Sequence, residues 1–296
     1  MEQALSRPAD GSVVPGISPQ LYKEADFARI AALVKAEAGI ILSSKKKMLA
    51  YSRLAPLVRE SGLQTFTEYL NVVDRDVAHR KRVIAALTTN HTYFNREPHH
   101  FEHFSDVVRP DLIARSQSKD KVRIWSAGSS SGEEIHTLMM FLLGEDKAKG
   151  KAIARGNLLV LASDLAPHAV NAAQAATYDG AAVSKLPDTL RKAWCDPIPG
   201  DPTNSVTIAR EITQLIRYRQ LNLLRAWPFD ALFDVIFCRN VMIYFDEPTK
   251  AELVLRFARQ LKVGGYLYIG HSERVSGEGA RLLKPVGATI YQRIEG

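Results

Sequence analysis

Apolar periodicity changes partway along the chain, and that change limits the fold more than any other feature. From Val122 onward, short strand-like runs alternate with helical ones. Val122–Ala127 (VRIWSA) precedes a helical pattern over about 133–145, and Leu158–Ser163 (LLVLAS) precedes one over about 166–176. Phe233–Cys238 (FDVIFC) precedes a third over about 247–261; Tyr266–Gly270 follows, and Thr289–Ile294 closes the chain. Strands separated by helices pair in parallel, with the helices covering both faces of the sheet. The predicted class is therefore α/β with a doubly wound sheet. One stretch interrupts the alternation. Residues 205–219 (SVTIAREITQLIRYR) read as two short strands with no helix between them, a small β insertion at about 197–220.

Before this region the period is helical. Phe27, Ile30, Ala31, Val34 and Ala38 recur at helix spacing and Gly39 follows as a stop. A second helix is expected from Ser43-Ser44 to about Ser61-Gly62. Met48, Ala50, Tyr51, Leu54, Leu57 and Val58 share one arc of it, and Lys45, Lys46, Arg53 and Arg59 lie on the opposite arc. Thr65-Phe66-Thr67-Glu68 reads as a capping box opening a third helix, and residues 75–88 as a fourth. Residues 1–20, with three prolines and two glycines, read as a mobile leader. The expected division is a leader at 1–20, a helical domain at 21–90 and an α/β domain at 91–296.

Composition narrows the partners. Hydrophobic residues make up 46% and charged residues 24%, a globular balance. Two cysteines, Cys195 and Cys238, leave no disulfide framework and suit a reducing cytoplasm. No apolar run reaches the ~18 residues a bilayer crossing needs, and the start lacks a basic-then-apolar signal pattern. Thirty-nine bases against 32 acids favour an acidic partner without naming it. The excess is concentrated in residues 1–90, with 13 bases against 9 acids.

Ligands of an open parallel sheet sit beyond the carboxyl ends of its strands. The first strand here runs into Ala127-Gly128-Ser129-Ser130-Ser131-Gly132-Glu133-Glu134, the second ends at Asp164, and the third at Arg239-Asn240. The Gly-x-x-x-Gly spacing is not the dinucleotide fingerprint. Two carboxylates at the helix start would also repel a phosphate where one normally docks. They suit a ligand with a cationic end, and an acid at the second strand's end can accept from both ribose hydroxyls. Together these features fit S-adenosylmethionine. The plainer alternative stands beside it: Gly128 and Gly132 shape a turn, and the Glu pair complements a helix dipole.

The ordered segments Thr89–Glu97 (TNHTYFNRE), WSAGSSSGEE, ASD, LNLL, FDVIFCRNVMIYFD and GHSE resemble the CheR family of S-adenosylmethionine-dependent glutamate O-methyltransferases acting on chemotaxis receptors. The likeness runs from about residue 22 to the end. FCRNVMIYF at 237–245 followed by GHSE is its most specific part. It implies a Rossmann-like class I methyltransferase sheet, an all-helical N-terminal domain and a short β insertion. It further implies cofactor contacts from Asn90, Thr92, Arg96, Glu134, Asp164, Asn222, Leu223, Arg239 and Asn240, with Arg96 and Tyr244 at the reacting groups. The basic arc of Lys45, Lys46, Arg53 and Arg59 would dock on the acidic helical bundle of a receptor. S-adenosylhomocysteine would be the product and no metal would take part. A cytoplasmic monomer that neither enters the membrane nor binds nucleic acid completes the expectation.

Two departures from the family pattern stand out. Phe94-Asn95-Arg96-Glu97 replaces Phe-Phe-Arg-Glu, and Gly132-Glu133-Glu134-Ile135-His136 replaces Gly-Glu-Glu-Pro-Tyr. Both are expected to reshape the pocket wall. The loop Pro197-Ile198-Pro199-Gly200-Asp201-Pro202 has one glycine, which argues against tethering a receptor's tail peptide there. His99, His100 and His103 read as surface or interdomain histidines, since no carboxylate or cysteine set completes a metal site. His271 is placed at the pocket edge or in a turn; Cys238, Trp125 and Met242 are placed in the core. Two rival functions remain: a methyltransferase acting on RNA or a small molecule, and a cofactor-binding signalling module without catalysis.

Overall fold

A computed structural model of the chain describes residues 14, 16–18, 20–88, 90–118 and 120–295. The chain divides into two compact units, Met1–Thr89 and Asn90–Gly296. Fifteen of the twenty residues of the expected leader lie outside the described residues, and Val14 within it is buried. Asn90 belongs to the second unit, one residue earlier than expected.

Among the described residues of the first unit there are four α-helices: α1 (Glu24–Ala38), α2 (Lys47–Glu60), α3 (Phe66–Val73) and α4 (Val77–Leu87). Two of their ends are set by residues that the sequence singled out, Gly39 and the Thr65–Glu68 box. Gly39 takes φ 69°, and its N–H donates to the Lys35 carbonyl at 2.9 Å. The Thr65–Glu68 capping box is formed in both directions, at 3.2 and 3.0 Å. Asp76 caps α4 through the N–H groups of Ala78 and His79. α2 buries Ala50, Leu54, Ala55 and Val58, but Met48 is half exposed. At 100° per residue Met48 lies about 120° from Leu54, at the margin of the apolar face rather than within it.

The second unit opens with α5 (His99–His103), a π turn at Phe104–Val108 and α6 (Arg109–Gln117). This run was not anticipated as helix, yet Phe101, Phe104, Val108 and Leu112 recur at helical spacing and are all buried. There follow β1 (Val122–Ala127), α7 (Glu133–Leu143), α8 (Lys147–Ala154), β2 (Leu158–Asp164) and α9 (Pro167–Ala175). Next come β3 (Thr177–Tyr178), α10 (Asp188–Trp194), β4 (Cys195–Pro197), β5 (Val206–Ile208), α11 (Arg210–Thr213) and β6 (Ile216–Gln220). β7 (Phe233–Cys238), α12 (Glu247–Gln260), β8 (Leu261–Ile269), β9 (Leu283–Gly287) and β10 (Ile290–Arg293) complete the unit.

The main sheet has the order β6-β2-β1-β7-β8-β10-β9. β6, β2, β1, β7 and β8 pair in parallel, while β10 runs antiparallel between β8 and β9. The strand order reverses between β1 and β7, which places the ligand crevice beyond their carboxyl ends. The doubly wound α/β expectation is met.

The reading of residues 205–219 needs correction. A short helix, α11, separates the two strands, and the second strand joins the main sheet. β6 pairs with β2 in parallel, from Val160 with Ile216 to Asp164 with Gln220. Only β5 belongs to the small sheet, where it lies between β3 and β4. Strand character alone could not tell an edge strand of the large sheet from a member of a hairpin, because both alternate.

Candidate active site

Six segments of the second unit meet at the carboxyl edge of the parallel strands. β1 leads into the turn 128–132. Gly128 has φ 84°, Ser130 φ 49° and Gly132 φ 100°. The glycines are required by close packing. A Cβ on Gly128 would lie 2.3 Å from Val241 Cγ2, and one on Gly132 would lie 2.8 Å from the Tyr178 hydroxyl. The turn is pinned to β2, since the N–H groups of Gly128 and Ser129 both donate to the Ser163 carbonyl, at 2.8 and 2.9 Å.

Asp164 ends β2 and faces this turn. Its Oδ2 accepts from the Ser130 N–H and its Oδ1 from the Ala166 N–H, both at 2.9 Å. Burial pushes its carboxyl pKa up, against the pull of those backbone N–H groups. Each oxygen keeps a further lone pair, so the pair can still accept from a vicinal diol. Asn222 and Leu223 follow β6 beside it, because the Leu221 N–H donates to the Asp164 carbonyl at 2.9 Å. Asn222 Oδ1 closes its own turn by accepting from the Leu224 N–H.

The segment 90–97 approaches the same turn. Ser130 Oγ donates to the Asn90 carbonyl at 2.9 Å, and the Asn90 amide meets His168 Nε2 at 3.3 Å. Thr92 is half-buried in this segment. Asn95 and Glu97 both take left-handed backbone, φ 55° and 57°, on either side of Arg96. Such conformations cost about 1 kcal/mol or more each and persist only where neighbours over-determine them. Here the neighbours are charged. Arg239, with a side chain only 2% exposed, pairs with Glu97 at 3.2 Å and Glu134 at 3.1 Å. The same guanidinium donates to the Arg96 carbonyl. His271 Nδ1 lies 3.0 Å from Glu97. Burial raises the Glu97 carboxyl, but Arg239 and His271 outweigh it and hold its pKa low, at about 2.

Glu134 and Arg239 thus come together, but they face each other. Glu134 also accepts from Ser126 Oγ at 2.8 Å, and burial pushes its pKa up against Arg239. Both are placed as a buried brace under the site more clearly than as open ligand contacts. Glu133, the other acid of the pair, accepts from Ser131 Oγ at 2.7 Å and is likewise raised by burial. Arg96 donates to the His91 carbonyl at 3.1 Å, approaches Glu97 at 4.0 Å and lies over the Tyr93 ring.

β7 contributes Asn240, at φ 59°, and the turn that carries Tyr244 at 242–244. The residue that shapes this turn is Glu273, for which the sequence offered no assigned role. It is 5% exposed, and its carboxylate accepts from the N–H groups of Gly270 (2.6 Å), Met242 (2.7 Å) and Asn240 (3.0 Å). Burial raises its pKa against those bonds. Its place in GHSE, directly after the apolar strand that ends at Ile269, was the available signal. Gly270 is needed because a Cβ there would lie 2.5 Å from the Asn240 amide.

Of the histidines expected at the surface or between domains, His99 and His103 are half-buried, but His100 is not at the surface. His100 is fully buried and meets Thr289 Oγ1 at 2.9 Å, while His103 meets the Tyr268 hydroxyl at 2.9 Å. Cys238, Trp125 and Met242 are buried as expected, with Trp125 donating to Ser163 Oγ. Among the described residues no group of three or more His, Cys, Asp or Glu could hold a metal, and no helix is long and apolar enough to cross a membrane.

In the first unit the basic arc is uneven. Lys45 and Arg59 are exposed and Lys46 half-exposed, but Arg53 turns inward. Its guanidinium donates to the carbonyls of Thr88 (2.6 Å) and Ala86 (3.4 Å), closing the C-terminus of α4.

An adenosyl sulfonium fits these groups. Acceptors face the place of a ribose, and acids stand at the start of α7 where a phosphate would otherwise be held. Comparison with known proteins agrees. Residues 90–291 match the CheR methyltransferase SAM binding domain, and residues 25–88 match the CheR methyltransferase all-alpha domain. A Rhizobium etli protein is 41% identical over 262 residues, covering 88% of this chain and 96% of its own. The chemotaxis protein methyltransferase of Borreliella burgdorferi is 35% identical, covering 85% of this chain and 89% of its own. That of Escherichia coli K12 is 34% identical, covering 90% of each. With both of its units matched in order, the chain belongs to the CheR family of S-adenosylmethionine-dependent methyltransferases.

Proposed function

We propose that this enzyme esterifies glutamate side chains on the cytoplasmic helical bundle of methyl-accepting chemotaxis receptors. The observation that carries the chemistry is the meeting of Asp164, the 128–132 turn and the Arg96 and Tyr244 segments at one sheet edge. When bound, S-adenosylmethionine supplies a methyl carbon on a cationic sulfur, which a glutamate oxygen takes as the S–C bond breaks to give S-adenosylhomocysteine.

A glutamate is already ionised at neutral pH, with an ordinary pKa near ~4.3, so the protein has no proton to move. Attraction between anion and cation weakens as their charges cancel, so alignment and removal of water are what the protein can add. Asp164, with Asn222 beside it, would fix the ribose, and Asn90, Thr92 and Leu223 would close round the adenosine. Arg96 has N–H donors beyond the one used on His91, and would hold a carboxylate, either the cofactor's own or the incoming glutamate's. Tyr244 would orient the glutamate oxygen or the methyl group. Arg239, Glu134 and Glu273 act beneath them, setting the backbone of residues 96 and 240–244.

The basic residues Lys45, Lys46 and Arg59 would meet the acidic receptor bundle. In this reading the enzyme works in the cytoplasm as a monomer and uses no metal, nucleic acid or membrane insertion. Removing one negative charge per ester changes repulsion between packed receptor helices, an electrostatic switch.

Tritiated methyl transfer to receptor-containing membranes tests this. Label that alkali releases as methanol is expected. Base-stable label, or label on RNA instead, would overturn it and revive the rival methyltransferase, and no transfer at all would favour a non-catalytic binding module.

A further inference from the structure

Behind the 128–132 turn lies a buried polar chain that the chemistry above does not use. His136, on the first turns of α7, is fully buried. Its Nδ1 is 2.9 Å from the Tyr178 hydroxyl of β3, and its Nε2 is 2.8 Å from the Tyr218 hydroxyl of β6. The Tyr178 hydroxyl in turn donates to the Ser131 carbonyl at 2.6 Å. Ser131 belongs to the turn between Asp164 and the start of α7.

Counting protons fixes the direction of every bond. A phenol has one hydrogen, and that of Tyr178 points at Ser131, so its oxygen can only accept from the imidazole. Nδ1 therefore carries the proton. A neutral ring then has a bare Nε2, which accepts from the Tyr218 hydroxyl. The chain runs one way, from Tyr218 through His136 and Tyr178 to Ser131.

We infer that His136, as the neutral Nδ1–H tautomer, is a positioning residue for cofactor binding, acting through Tyr178 on the strained Ser130–Gly132 turn. This rests on the proposal that the turn holds the adenosyl ligand. Ser130 stands at φ 49° and Gly132 at φ 100°, conformations that need support from outside the turn. Support comes from two sides. Asp164 and Asn90 hold Ser130, and the Tyr178 hydroxyl holds Ser131. Without the second hold the turn relaxes, and the Ser130 N–H leaves the carboxylate that faces the ribose. Neither His136 nor Tyr178 is assigned a contact with the ligand, so the effect falls on affinity and not on the methyl-transfer step.

The test combines calorimetry with nitrogen NMR. Tyr178→Phe keeps the ring and removes only the final link. It should weaken S-adenosylhomocysteine binding about tenfold, the loss expected of one buried hydrogen bond, and raise KM for S-adenosylmethionine equally. kcat should change less than threefold. His136→Phe should weaken binding by a similar factor, and the double variant should be no worse than either, because links in series fail together. The wild-type imidazole should show a protonated Nδ1 and a bare Nε2 from pH 6 to 8. Independent, additive losses, unchanged binding in Tyr178→Phe, or an Nε2–H tautomer would overturn the inference. If the wild-type protein itself takes no S-adenosylhomocysteine, the assignment of the site falls instead, and the tautomer is still read separately.

Discussion

Glu273 shows how one carboxylate can govern the turn that carries Tyr244. Three N–H groups from residues 240, 242 and 270 converge on it in a buried setting, where an unmatched backbone donor costs about 1–3 kcal/mol. In Glu273→Gln one acceptor becomes a donor facing N–H groups. We expect a fall in stability of about 1–3 kcal/mol by urea melting and a fall in kcat of at least about tenfold, since the turn carries Tyr244. Tyr244→Phe should separate from it, with kcat reduced and both stability and S-adenosylhomocysteine affinity retained. A Tyr244→Phe enzyme with unchanged kcat would remove that residue from the reaction. The contrast between Asp164 and Glu273 also marks what sequence could convey. Asp164 was legible because it ends a recognisable strand. The role of Glu273 depends on two N–H groups more than thirty residues away, at 240 and 242, converging on it, which no local pattern encodes.

At the scale of elements, local signals served best where the ends are capped locally. Gly39, the Thr65–Glu68 box and the three buried parallel strands lie where their patterns placed them. The patterns failed where tertiary context decides. β6 and β5 are alike as strings, but one pairs with β2 and the other with β3 and β4. Arg53 shares the α2 surface arc with Arg59, while Lys45 stands in the 3-10 turn before it, yet the long side chain of Arg53 reaches back to the carbonyls that end α4. The docking face therefore divides by experiment. Lys45→Glu with Arg59→Glu should lower receptor methylation several-fold, more at low salt than at high, with cofactor binding unchanged. Arg53→Glu should lower the melting temperature, because it leaves the part-buried Ala86 and Thr88 carbonyls without their cation and puts a carboxylate beside them. Equal stability of the two proteins would return Arg53 to the docking face.

For the whole molecule, acid sensitivity follows from histidines folded away from water. Burial pulls the His136 pKa down to about 3, whereas an unfolded histidine protonates near ~6.5. Below the unfolded value the unfolded chain binds a proton that the folded chain refuses. Stability is thus full above pH ~6.5 and falls by about 1.4 kcal/mol per pH unit for this group as the solution is acidified. His136→Phe should lower that slope between pH 6 and 4 by one proton's worth in urea melts, and an unchanged slope would deny that the imidazole is buried neutral. The division into a basic helical unit and an α/β unit was plain from periodicity alone. The brace of Glu97, Glu134 and Arg239 was not, because its members come from three separate segments. The most direct trial of the account is calorimetric titration of the full chain, and of Asp164→Ala, with S-adenosylhomocysteine, ATP and NAD. Heat with S-adenosylhomocysteine alone, lost in Asp164→Ala, is the predicted result; binding of ATP or NAD with none of the thioether would contradict it.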